Sequence, residues 1–502
     1  MVKMVKQILI TIACCIVLIS NVAFAKHQRI THPDWALDVK VALNDFLNEY
    51  GIDSQKYILN SYVVFDFDKS TSINDVQYQL LVYQIESMAF AMNPQTLKTT
   101  LLTDITDVNT SYDLSTQKLG KGSAIDRVND IVSDYQYLWD NYGPFLAKGL
   151  SQEKQDIIHG DPYWADFAAR LHGYVNFVYD TLKLPTYWQC NLYNGMSEEE
   201  AYNLAFRSHS KYKNVPTSQV TWSTCLSNKR SGEISSTFMN GITVTDNICE
   251  LWSALKDNGI DVWVCSASGV DEIRAAVDAF GLHPYCKGIL AMTNNKPNGV
   301  YTTGYDWETG YGYYCYPDNK WKKMLIPEKS APVGKGKVQC IENTLEQEYK
   351  HGPLAGFMDS TGDFNFCTEF KDLKLVVCFN YNNAVTSGSG LVSEVAMYQR
   401  DFLNYDLFLA NENGDTLYVL QGVDDNNPRK LRPSNESIVW GATKSKLFAS
   451  ENHWRQLFYM VKNKMNTAHI FNTFAFKADK GNSKLGFEYG FLDTYNGYHS
   501  HD

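Results

Sequence analysis

The stretch from Tyr62 to Thr71 restricts what this chain can fold into more than any other part of it. Its first four residues, Tyr62 to Phe65, are apolar or aromatic and long enough for a buried strand, and Asp66 and Asp68 follow directly. Side chains two residues apart on a strand share a face, so both carboxylates should lie together at the carboxyl end of the strand, where α/β sheets bind ligands. Like charges so close need a cation between them, or one carboxyl group must keep its proton.

Three interpretations of this acid pair follow. With a cation, it is a hard-metal site built from oxygen ligands. With a proton on one carboxyl group, it is a nucleophile beside a general acid. A solvated turn after a strand, with no chemical role, would carry the same residues.

Later stretches favour a functional interpretation. Asp261 to Cys265 is a second apolar run, which ends in the hydroxyl-rich Ser266 to Ser268 and continues into a helical pattern from Gly269 to Phe280. A strand, a turn and a helix in this order present free backbone amides and hydroxyls, which suit an anion.

A lysine and a second acid pair follow further along the chain. Gly334 to Lys337 opens another predicted helix and places an ammonium group near its start. Leu354 to Met358 predicts a strand that ends in Asp359, with Asp363 four residues later. The order acid pair, hydroxyl, lysine and acid pair is far more specific than any one of these features.

In these residues the chain resembles the haloacid dehalogenase superfamily, and specifically its phosphatases. The four motifs of that family match, in order, these residues: Asp66 and Asp68; Ser266; Lys335; Asp359 and Asp363. The segments around the second and fourth motifs are similar to the branch that contains phosphoserine and phosphorylcholine phosphatases. Lys69, Ser70 and Met358 depart from the usual pattern, and these departures bear on rate and substrate more than on the type of reaction.

The resemblance implies an α/β fold: a Rossmann-like parallel sheet core, a large and mostly helical cap inserted after the first strand, and a C-terminal extension. The residues themselves support a helical cap, because Val76 to Met92 has helical periodicity and Ser197 to Glu200 is a capping box. We therefore predict a core from residues 26–74 and 242–380, a cap from 75–241 and an extension from 381–502. Leu373 to Phe379 is predicted to be the last core strand, and composition indicates no role for the extension.

The resemblance also implies a phosphomonoesterase that works through an aspartyl-phosphate. Asp66 would attack phosphorus, and Asp68 would protonate the leaving oxygen and then deprotonate the water that hydrolyses the intermediate. A carbon–halogen hydrolase of the same superfamily would use Asp66 similarly, but its leaving halide needs no proton, so Asp68 argues against it. A secreted binding protein that keeps the pocket without turnover is the alternative from another class.

The metal and phosphate ligands follow from the same resemblance. Magnesium would be held by Asp66, Asp359 and the backbone carbonyl of Asp68, and Asp363 would orient these ligands. Three groups would hold the remaining phosphate oxygens: Ser266, the Ala267 amide and Lys335. Lys337 competes for the lysine role, and the family's spacing to the fourth motif favours Lys335.

The predicted substrate is a small phosphate ester with a cationic head, phosphorylcholine first. Asp161, Tyr163 and Trp164 lie at the start of a predicted cap helix, whose aromatic and apolar stripe runs from Trp164 to Tyr174. Aromatic faces beside a carboxylate select a quaternary ammonium group. The same stripe would also serve as the packed interior of the cap, and a broad-specificity or phosphoserine-type phosphatase is the alternative.

Residues 1–25 predict an export signal. Lys3 and Lys6 precede an apolar run from Ile8 to Ile19, and Ala23 to Ala25 fits a cleavage site. The run is shorter than the roughly 20 residues of a membrane span, so we expect no stable anchor after cleavage and a periplasmic or secreted protein. Removal of both lysines takes the formal charge from −11 to −13, and without a basic cluster nucleic acid is not an expected partner.

Nine of the eleven cysteines lie beyond this signal: Cys190, Cys225, Cys249, Cys265, Cys286, Cys315, Cys340, Cys367 and Cys378. Export favours disulfides, and the odd number leaves at least one thiol over, which we assign to Cys265 on the strand before Ser266. Neither Cys-x-x-Cys nor His-x-x-x-His spacing occurs, so the sequence gives little support for zinc.

Overall fold

A computed structural model of the chain describes residues 27–213, 215–226, 229–305, 310–316, 320–326, 331–383 and 387–447. Within these residues a nine-stranded sheet runs through the molecule, accompanied by two hairpins. In chain order the strands are Tyr62–Phe65 (β1), Ser111–Asp113 (β2), Lys121–Ser123 (β3), Ser218–Ser223 (β4), Ser235–Asn240 (β5), Asp261–Gly269 (β6), Cys286–Met292 (β7), Tyr311–Tyr316 (β8), Lys320–Leu325 (β9), Ala355–Met358 (β10), Leu375–Asn380 (β11), Leu417–Asp424 (β12) and Lys430–Leu431 (β13).

The large sheet has β1 at its centre. Its strand order is β13, β12, β11, β10, β1, β6, β7, β8, β9. The strands from β12 to β7 in this order are mutually parallel, so their carboxyl ends lie along one edge of the sheet. All residues of β1, β10 and β11 are buried, as expected for parallel strands covered on both faces.

Helices surround this sheet and build the region inserted after β1. In chain order they are Leu37–Tyr50 (α1), Val76–Glu86 (α2), Pro94–Leu101 (α3), Ala124–Tyr142 (α4), Gln152–Ile158 (α5), Pro162–Asp180 (α6), Glu198–Tyr212 (α7), Asp246–Asp257 (α8), Val270–Ala279 (α9), Lys335–Ile341 (α10), Gln347–Tyr349 (α11), Gly388–Leu403 (α12) and Leu407–Glu412 (α13). The apolar faces of α1, α8 and α9 join the strands in one hydrophobic core.

The inserted region contains α2 to α7 and the hairpins β2–β3 and β4–β5. Most of its apolar side chains form a hydrophobic cluster of their own, built on α4 and α6 and separate from the core around the sheet. The predicted α/β fold, with a mostly parallel sheet and a mostly helical insertion after the first strand, is confirmed.

The observed helices differ from the predicted ones mainly at their ends. The capping box that begins α7 is present, with the Ser197 hydroxyl and the Glu200 carboxylate each accepting a backbone N–H of the other residue. α2 stops at Glu86 instead of continuing to Met92. Met88 adopts a left-handed backbone conformation, with φ of 49°, and a right-handed helix cannot continue through it.

The prediction that the core ends at residue 380 is wrong. β12 pairs in parallel with β11 from Leu417 to Gly422, so a strand from the predicted extension belongs to the central sheet. Its residues from Leu417 to Val423 are buried, as in the neighbouring strands. At the other end of the sheet, β8 and β9 form an antiparallel pair.

The nine cysteines beyond residue 25 all lie in the described part of the chain, and no disulfide joins any of them there. The expectation of disulfides is therefore not met, whereas Cys265 is buried as predicted. Among the described residues no helix combines the length and the apolar character needed to cross a membrane. The predicted export signal and residues 448–502 lie outside the described residues.

Candidate active site

Asp66 lies directly after β1, at the centre of the sheet. Its backbone N–H donates to the carbonyl oxygen of Phe357 (3.1 Å), which extends the pairing between β1 and β10. The side chain is 10% exposed. Lys337 Nζ donates to its Oδ1 (2.6 Å) and the Ser70 hydroxyl donates to its Oδ2 (3.3 Å). The strand therefore presents a carboxylate, paired with a cation, at the ligand-binding edge of the sheet.

Two further carboxylates meet Asp66 there. Asp359 follows β10, and Asp363 ends the short 3-10 helix Thr361–Asp363. Each of the three side chains offers an oxygen within 4.8 Å of the others. Asp363 Oδ2 accepts the backbone N–H of Asp359 (3.4 Å) and of Ser360 (3.3 Å), which holds it in place. The structure thus brings Asp66 of the first acid pair together with both aspartates of the second pair, which is far away in the sequence.

Burial dominates the electrostatics of this cluster of Asp66, Asp359 and Asp363. It raises the pKa of Asp66 to about 7, with the charge of Asp363 adding to the effect and Lys337 opposing it. Burial also raises the pKa of Asp359 well above its usual value, and the charges of Asp363 and Asp66 add to this. Burial lowers the pKa of Lys337, but both neighbouring carboxylates outweigh it, so the pKa of this lysine rises. Even with Lys69, whose charge acts on Asp359, two lysines beside three carboxylates leave an excess of negative charge, which suits a hard divalent cation.

Lys337, and not the predicted Lys335, lies beside the acid pair. Lys337 is 1% exposed and bridges Asp66 (2.6 Å) and Asp363 (2.5 Å). Lys335, the first residue of α10, has an exposed side chain. Residues two apart on a helix are separated by about 200° around its axis, so only one of the two lysines can face the sheet.

Asp68 has a different set of partners. The Val76 N–H donates to its Oδ1 (2.7 Å) and the Ser268 hydroxyl donates to its Oδ2 (2.7 Å). Burial raises the pKa of Asp68 well above its usual value, with Asp75 and Asp66 adding to the effect and the two hydrogen bonds opposing it. A carboxyl group that keeps its proton in this way suits a general acid. Its side chain is not part of the three-carboxylate cluster found among the described residues, and its predicted metal contact was through its backbone carbonyl.

Ser266 and Ala267 lie in the last part of β6, which stays extended to Gly269 instead of turning after Cys265. Ser266 is buried, and its hydroxyl oxygen accepts the backbone N–H of Ser268 (3.1 Å). Because Ser268 also donates to Asp68, this segment lies directly beside the acid pair. Phe65 pairs with Val264, so Ser266 extends beyond the end of β1.

Asp161, Tyr163 and Trp164 make their recorded contacts with other residues of the inserted region. Asp161 begins α6 by accepting the Tyr163 N–H (2.9 Å), and it also accepts the Tyr142 hydroxyl (2.8 Å). The Tyr163 ring stacks on another tyrosine with a centroid distance of 3.7 Å. Trp164 packs on His159 with a centroid distance of 4.1 Å and belongs to the hydrophobic cluster of the insertion. These contacts match the alternative prediction, in which this aromatic stripe forms the packed interior of the cap.

Two acidic residues near the site were missed. Asp75 begins α2, where its carboxylate accepts the Tyr78 N–H (3.0 Å), and its charge raises the pKa of Asp68. Its place before a helical pattern was the available sequence signal.

Glu272 lies in the first turn of α9, where one of its oxygens accepts the Tyr193 hydroxyl (2.8 Å) and the other has no partner among the described residues. Burial raises its pKa to about 8. An acid in a first helical turn is ordinary, so no sequence signal distinguished it.

Comparisons with known proteins bear on the fold. No protein-family model and no curated protein matches the chain. A solved structure of a conserved protein of unknown function from Anaerococcus prevotii is 22% identical and has a TM-score of 0.64. The similarity covers 82% of this chain and 99% of that one. At this identity it supports a shared α/β fold over most of the chain, and nothing beyond the fold.

Two other solved structures are less similar. A protein of unknown function from Bordetella pertussis is 11% identical over 64% of this chain and 91% of that one, with a TM-score of 0.24. Cytosolic 5'-nucleotidase IIIB bound to cytidine is 12% identical over 70% of this chain and 83% of that one, with a TM-score of 0.29. At such TM-scores these two similarities support no conclusion.

Proposed function

We propose that the chain is a magnesium-dependent phosphomonoesterase that acts on a small phosphate ester through an aspartyl-phosphate intermediate. The observation that carries this proposal is the buried cluster of Asp66, Asp359 and Asp363, whose oxygens lie within 4.8 Å of one another and of which Asp66 and Asp363 share the ammonium group of Lys337. A structural ion pair would balance its charges, whereas excess negative charge beside the general acid Asp68 suits phosphoryl transfer with a divalent cation.

The side chains present fit a hard cation. Asp66, Asp359 and Asp363 offer carboxylate oxygens, which are the ligands that magnesium prefers over nitrogen or sulfur. Bound by them, magnesium would offset the charge of the carboxylates and of the phosphoryl oxygens. Asn383 supports this edge of the sheet, because its side-chain amide donates to the Asp359 carbonyl oxygen (2.6 Å).

Asp66 and Asp68 divide the chemistry between them. An Asp66 carboxylate oxygen attacks phosphorus, and the leaving alkoxide takes the proton of Asp68. Asp68, now a carboxylate, takes a proton from the water that hydrolyses the aspartyl-phosphate, and both groups return to their starting states. The hydrogen bonds from Val76 and Ser268 hold Asp68 for both steps, and burial favours its protonated form before the first.

The phosphate oxygens need donors on the side opposite the carboxylates. Ser266, through its hydroxyl, and the Ala267 amide fill this role in our proposal, because β6 carries both past the end of β1. Lys337 takes the place first given to Lys335, since its ammonium group already lies 2.6 Å from the attacking carboxylate.

Phosphorylcholine is the substrate that we propose first, with broad-specificity and phosphoserine-type hydrolysis as the alternatives. Asp75, Tyr78 and Tyr179 are better placed for a cationic head than the residues first assigned to it. The charge of Asp75 reaches Asp68 and both tyrosines, since it raises the pKa of each. The two tyrosine rings lie edge to face with a centroid distance of 6.0 Å. Aromatic rings beside a carboxylate are the surroundings that a quaternary ammonium group prefers.

The test of activity is hydrolysis of an aryl phosphate by the full-length chain with magnesium or with EDTA. We expect hydrolysis only with magnesium, and a loss of at least about 1000-fold in Asp66→Asn, because removal of a nucleophile stops covalent turnover. Lys335→Ala is the matched control and should keep its activity. Full activity in Asp66→Asn would exclude this residue as the nucleophile, and a folded chain that hydrolyses no phosphomonoester would indicate a binding protein.

The test of substrate is a specificity series at fixed magnesium that compares phosphorylcholine with glycerol phosphate. We expect phosphorylcholine to be favoured, and Tyr78→Ala to reduce that preference by about 10-fold, since one aromatic face contributes about 1–2 kcal/mol to binding a desolvated cation. Tyr163→Ala is the matched control, because Tyr163 stacks inside the insertion. Equal efficiency on both esters would leave a broad-specificity phosphatase.

We also propose that the protein is exported, because residues 1–25 have the pattern of an export signal. A protein cleaved after Ala25 would begin at Lys26. Amino-terminal sequencing of the chain recovered from the periplasm or medium is therefore the direct test, and recovery of uncleaved protein from the cytoplasm would contradict export.

A further inference from the structure

A second group of reactive side chains lies at the far end of α9 from the candidate active site. Cys315 Sγ lies 3.1 Å from His283 Nε2, and His283 Nδ1 lies 2.7 Å from Asp278 Oδ1. Cys315 comes from β8, His283 from the short 3-10 helix before β7, and Asp278 from the last turn of α9. A thiol, a base and a carboxylate in this order have the arrangement of a Cys-His-Asp triad.

Asp278 determines which ring nitrogen of His283 carries the proton. An ionised carboxylate only accepts, so Nδ1 donates to Asp278 and Nε2 presents its lone pair to the thiol. Asp278 is itself held, because Trp321 Nε1 donates to its Oδ1 (2.9 Å) and the Tyr202 hydroxyl donates to its Oδ2 (2.7 Å). Trp321 also stacks on the His283 ring with a centroid distance of 4.4 Å, which holds the ring in line with Cys315.

Packing alone does not account for this arrangement. A buried thiol behaves as a small apolar group and needs no base. The thiol of Cys286, by contrast, donates to the carbonyl oxygen of Gly288 (3.5 Å), which is not a base that could take its proton. Cys315 is 7% exposed and the His283 side chain is 21% exposed, so the pair is in limited contact with solvent.

We propose that Cys315 is a reactive thiol and a site of covalent modification by small electrophiles, of which hydroperoxides are the oxidant class. His283 Nε2 takes the thiol proton, and the thiolate sulfur then attacks one peroxide oxygen. The O–O bond breaks, the sulfur is oxidised by two electrons to a sulfenic acid, and the peroxide is reduced. With hydrogen peroxide, the departing hydroxide takes the proton back from His283 and leaves as water.

The test is alkylation of the full-length chain by iodoacetamide, followed at each cysteine by peptide mass spectrometry between pH 6 and pH 9. An ordinary thiol, with a pKa of about 8.5, reacts about tenfold faster for each pH unit up to that value. We expect Cys315 to react at least about tenfold faster than the exposed Cys225 at pH 7, with a nearly flat profile from pH 7 upward. Hydrogen peroxide with dimedone should give the sulfenic acid adduct at Cys315.

Substitutions distinguish activation of the Cys315 thiol by a base from simple exposure of that thiol to the reagent. His283→Gln should lower the alkylation rate of Cys315 at pH 7 by about tenfold, and Asp278→Asn by less, while Cys378→Ser, on β11, should leave it unchanged. Phosphatase activity should survive Cys315→Ser, so failure of this proposal and of the proposed function are distinguishable. A Cys315 profile in the unsubstituted chain that rises tenfold per pH unit, or a rate no faster than that of Cys225, would overturn the proposal even if His283→Gln does not fold.

Discussion

Lys337 is the residue on which the charge balance of the candidate active site depends. Its ammonium group bridges Asp66 and Asp363, and all three side chains are buried. Charges removed from water are costly unless they are paired, and loss of one partner leaves the other uncompensated. Removal of this lysine should therefore affect both the fold and the reaction.

We expect Lys337→Ala to lower the free energy of unfolding by about 3–5 kcal/mol, the usual cost of a broken buried ion pair. Turnover should fall at least about 100-fold, because the attacking carboxylate loses the partner that orients it. Lys335→Ala should change stability by no more than about 0.5 kcal/mol, as exposed substitutions do. Urea unfolding and aryl phosphate hydrolysis of both variants measure this. Equal effects of the two substitutions would show that the assignment of Lys337 is wrong.

The same two lysines show which site residues could be predicted from the sequence and which could not. Asp66 and Asp68 could be identified because alternation along a strand places residues i and i+2 on one face, and Asp359 could be identified because it follows a second apolar strand. The choice between Lys335 and Lys337 depends instead on the rotation of α10 about its axis. Helical spacing contained the answer, since Lys337 is four residues before the buried Ile341, whereas Lys335 is four residues before the exposed Gln339. The family's spacing to the fourth motif favours Lys335, whereas this periodicity favours Lys337.

At the scale of elements, the inserted helices carry two deeply buried histidines. His172 of α6 is 2% exposed, and its Nδ1 lies 2.7 Å from the Ser236 hydroxyl of β5. Burial lowers the pKa of His172 to about 4. Burial likewise lowers the pKa of His209, in α7, to about 3. Both side chains are therefore neutral in the folded protein at pH 7.

We expect acid to destabilise the protein through these histidines. An unfolded histidine has a pKa of about 6.5, so below that pH the unfolded chain takes up protons that the folded chain does not. Their contribution is complete above pH 6.5 and is lost as the pH falls towards 4, with about 1–2 kcal/mol per histidine lost at pH 5. Urea unfolding at pH 7 and pH 5 should compare His172→Gln with the unsubstituted chain, because buried Asp66 and Glu272, whose pKa values are raised to about 7 and about 8, change stability in the opposite direction in both. The change from pH 7 to pH 5 should be more favourable in His172→Gln by about 1–2 kcal/mol, and identical changes in the two chains would contradict this account.

Across the whole molecule, bound magnesium should couple the site to global stability. The cluster of Asp66, Asp359 and Asp363 holds like charges, and a cation that binds the folded state alone stabilises it by about 2.7 kcal/mol at 100 times its Kd. Thermal melting should shift upward with magnesium. Asp359→Asn should melt higher than the unsubstituted chain in EDTA, since it removes a repulsion, and should lose the magnesium shift. A magnesium shift retained in Asp359→Asn would place the metal elsewhere.

Calcium should inhibit turnover, because its looser coordination misplaces the nucleophile.

The central sheet also shows why the domain boundary could not be read from the sequence. A strand order is set by which edges pair in space, and β12 joins β11 only after α12 and α13 have returned the chain to the sheet. No local pattern records that return, so the boundary was placed where the recognised motifs ended. The buried Gln421 of β12 ties the element to the start of the chain, since its side chain accepts the Ala36 N–H (3.0 Å).

A chain truncated after residue 380 should therefore fail to fold. It would lose β12, α12 and α13, and would leave the buried strand β11 as an exposed apolar edge, which favours aggregation. Gln421→Ala is the milder test, because it removes the acceptor of the Ala36 N–H and the side-chain donor to the Gly422 and Arg432 carbonyl oxygens, at a cost of about 1–3 kcal/mol. Glu412→Ala, at an exposed position of α13, is the matched control and should be neutral. Solubility, cooperative melting and phosphatase activity are the measurements. A truncated chain that stays soluble, melts cooperatively and hydrolyses aryl phosphates would show that residues after 380 are an appendage and that the sheet is complete without β12.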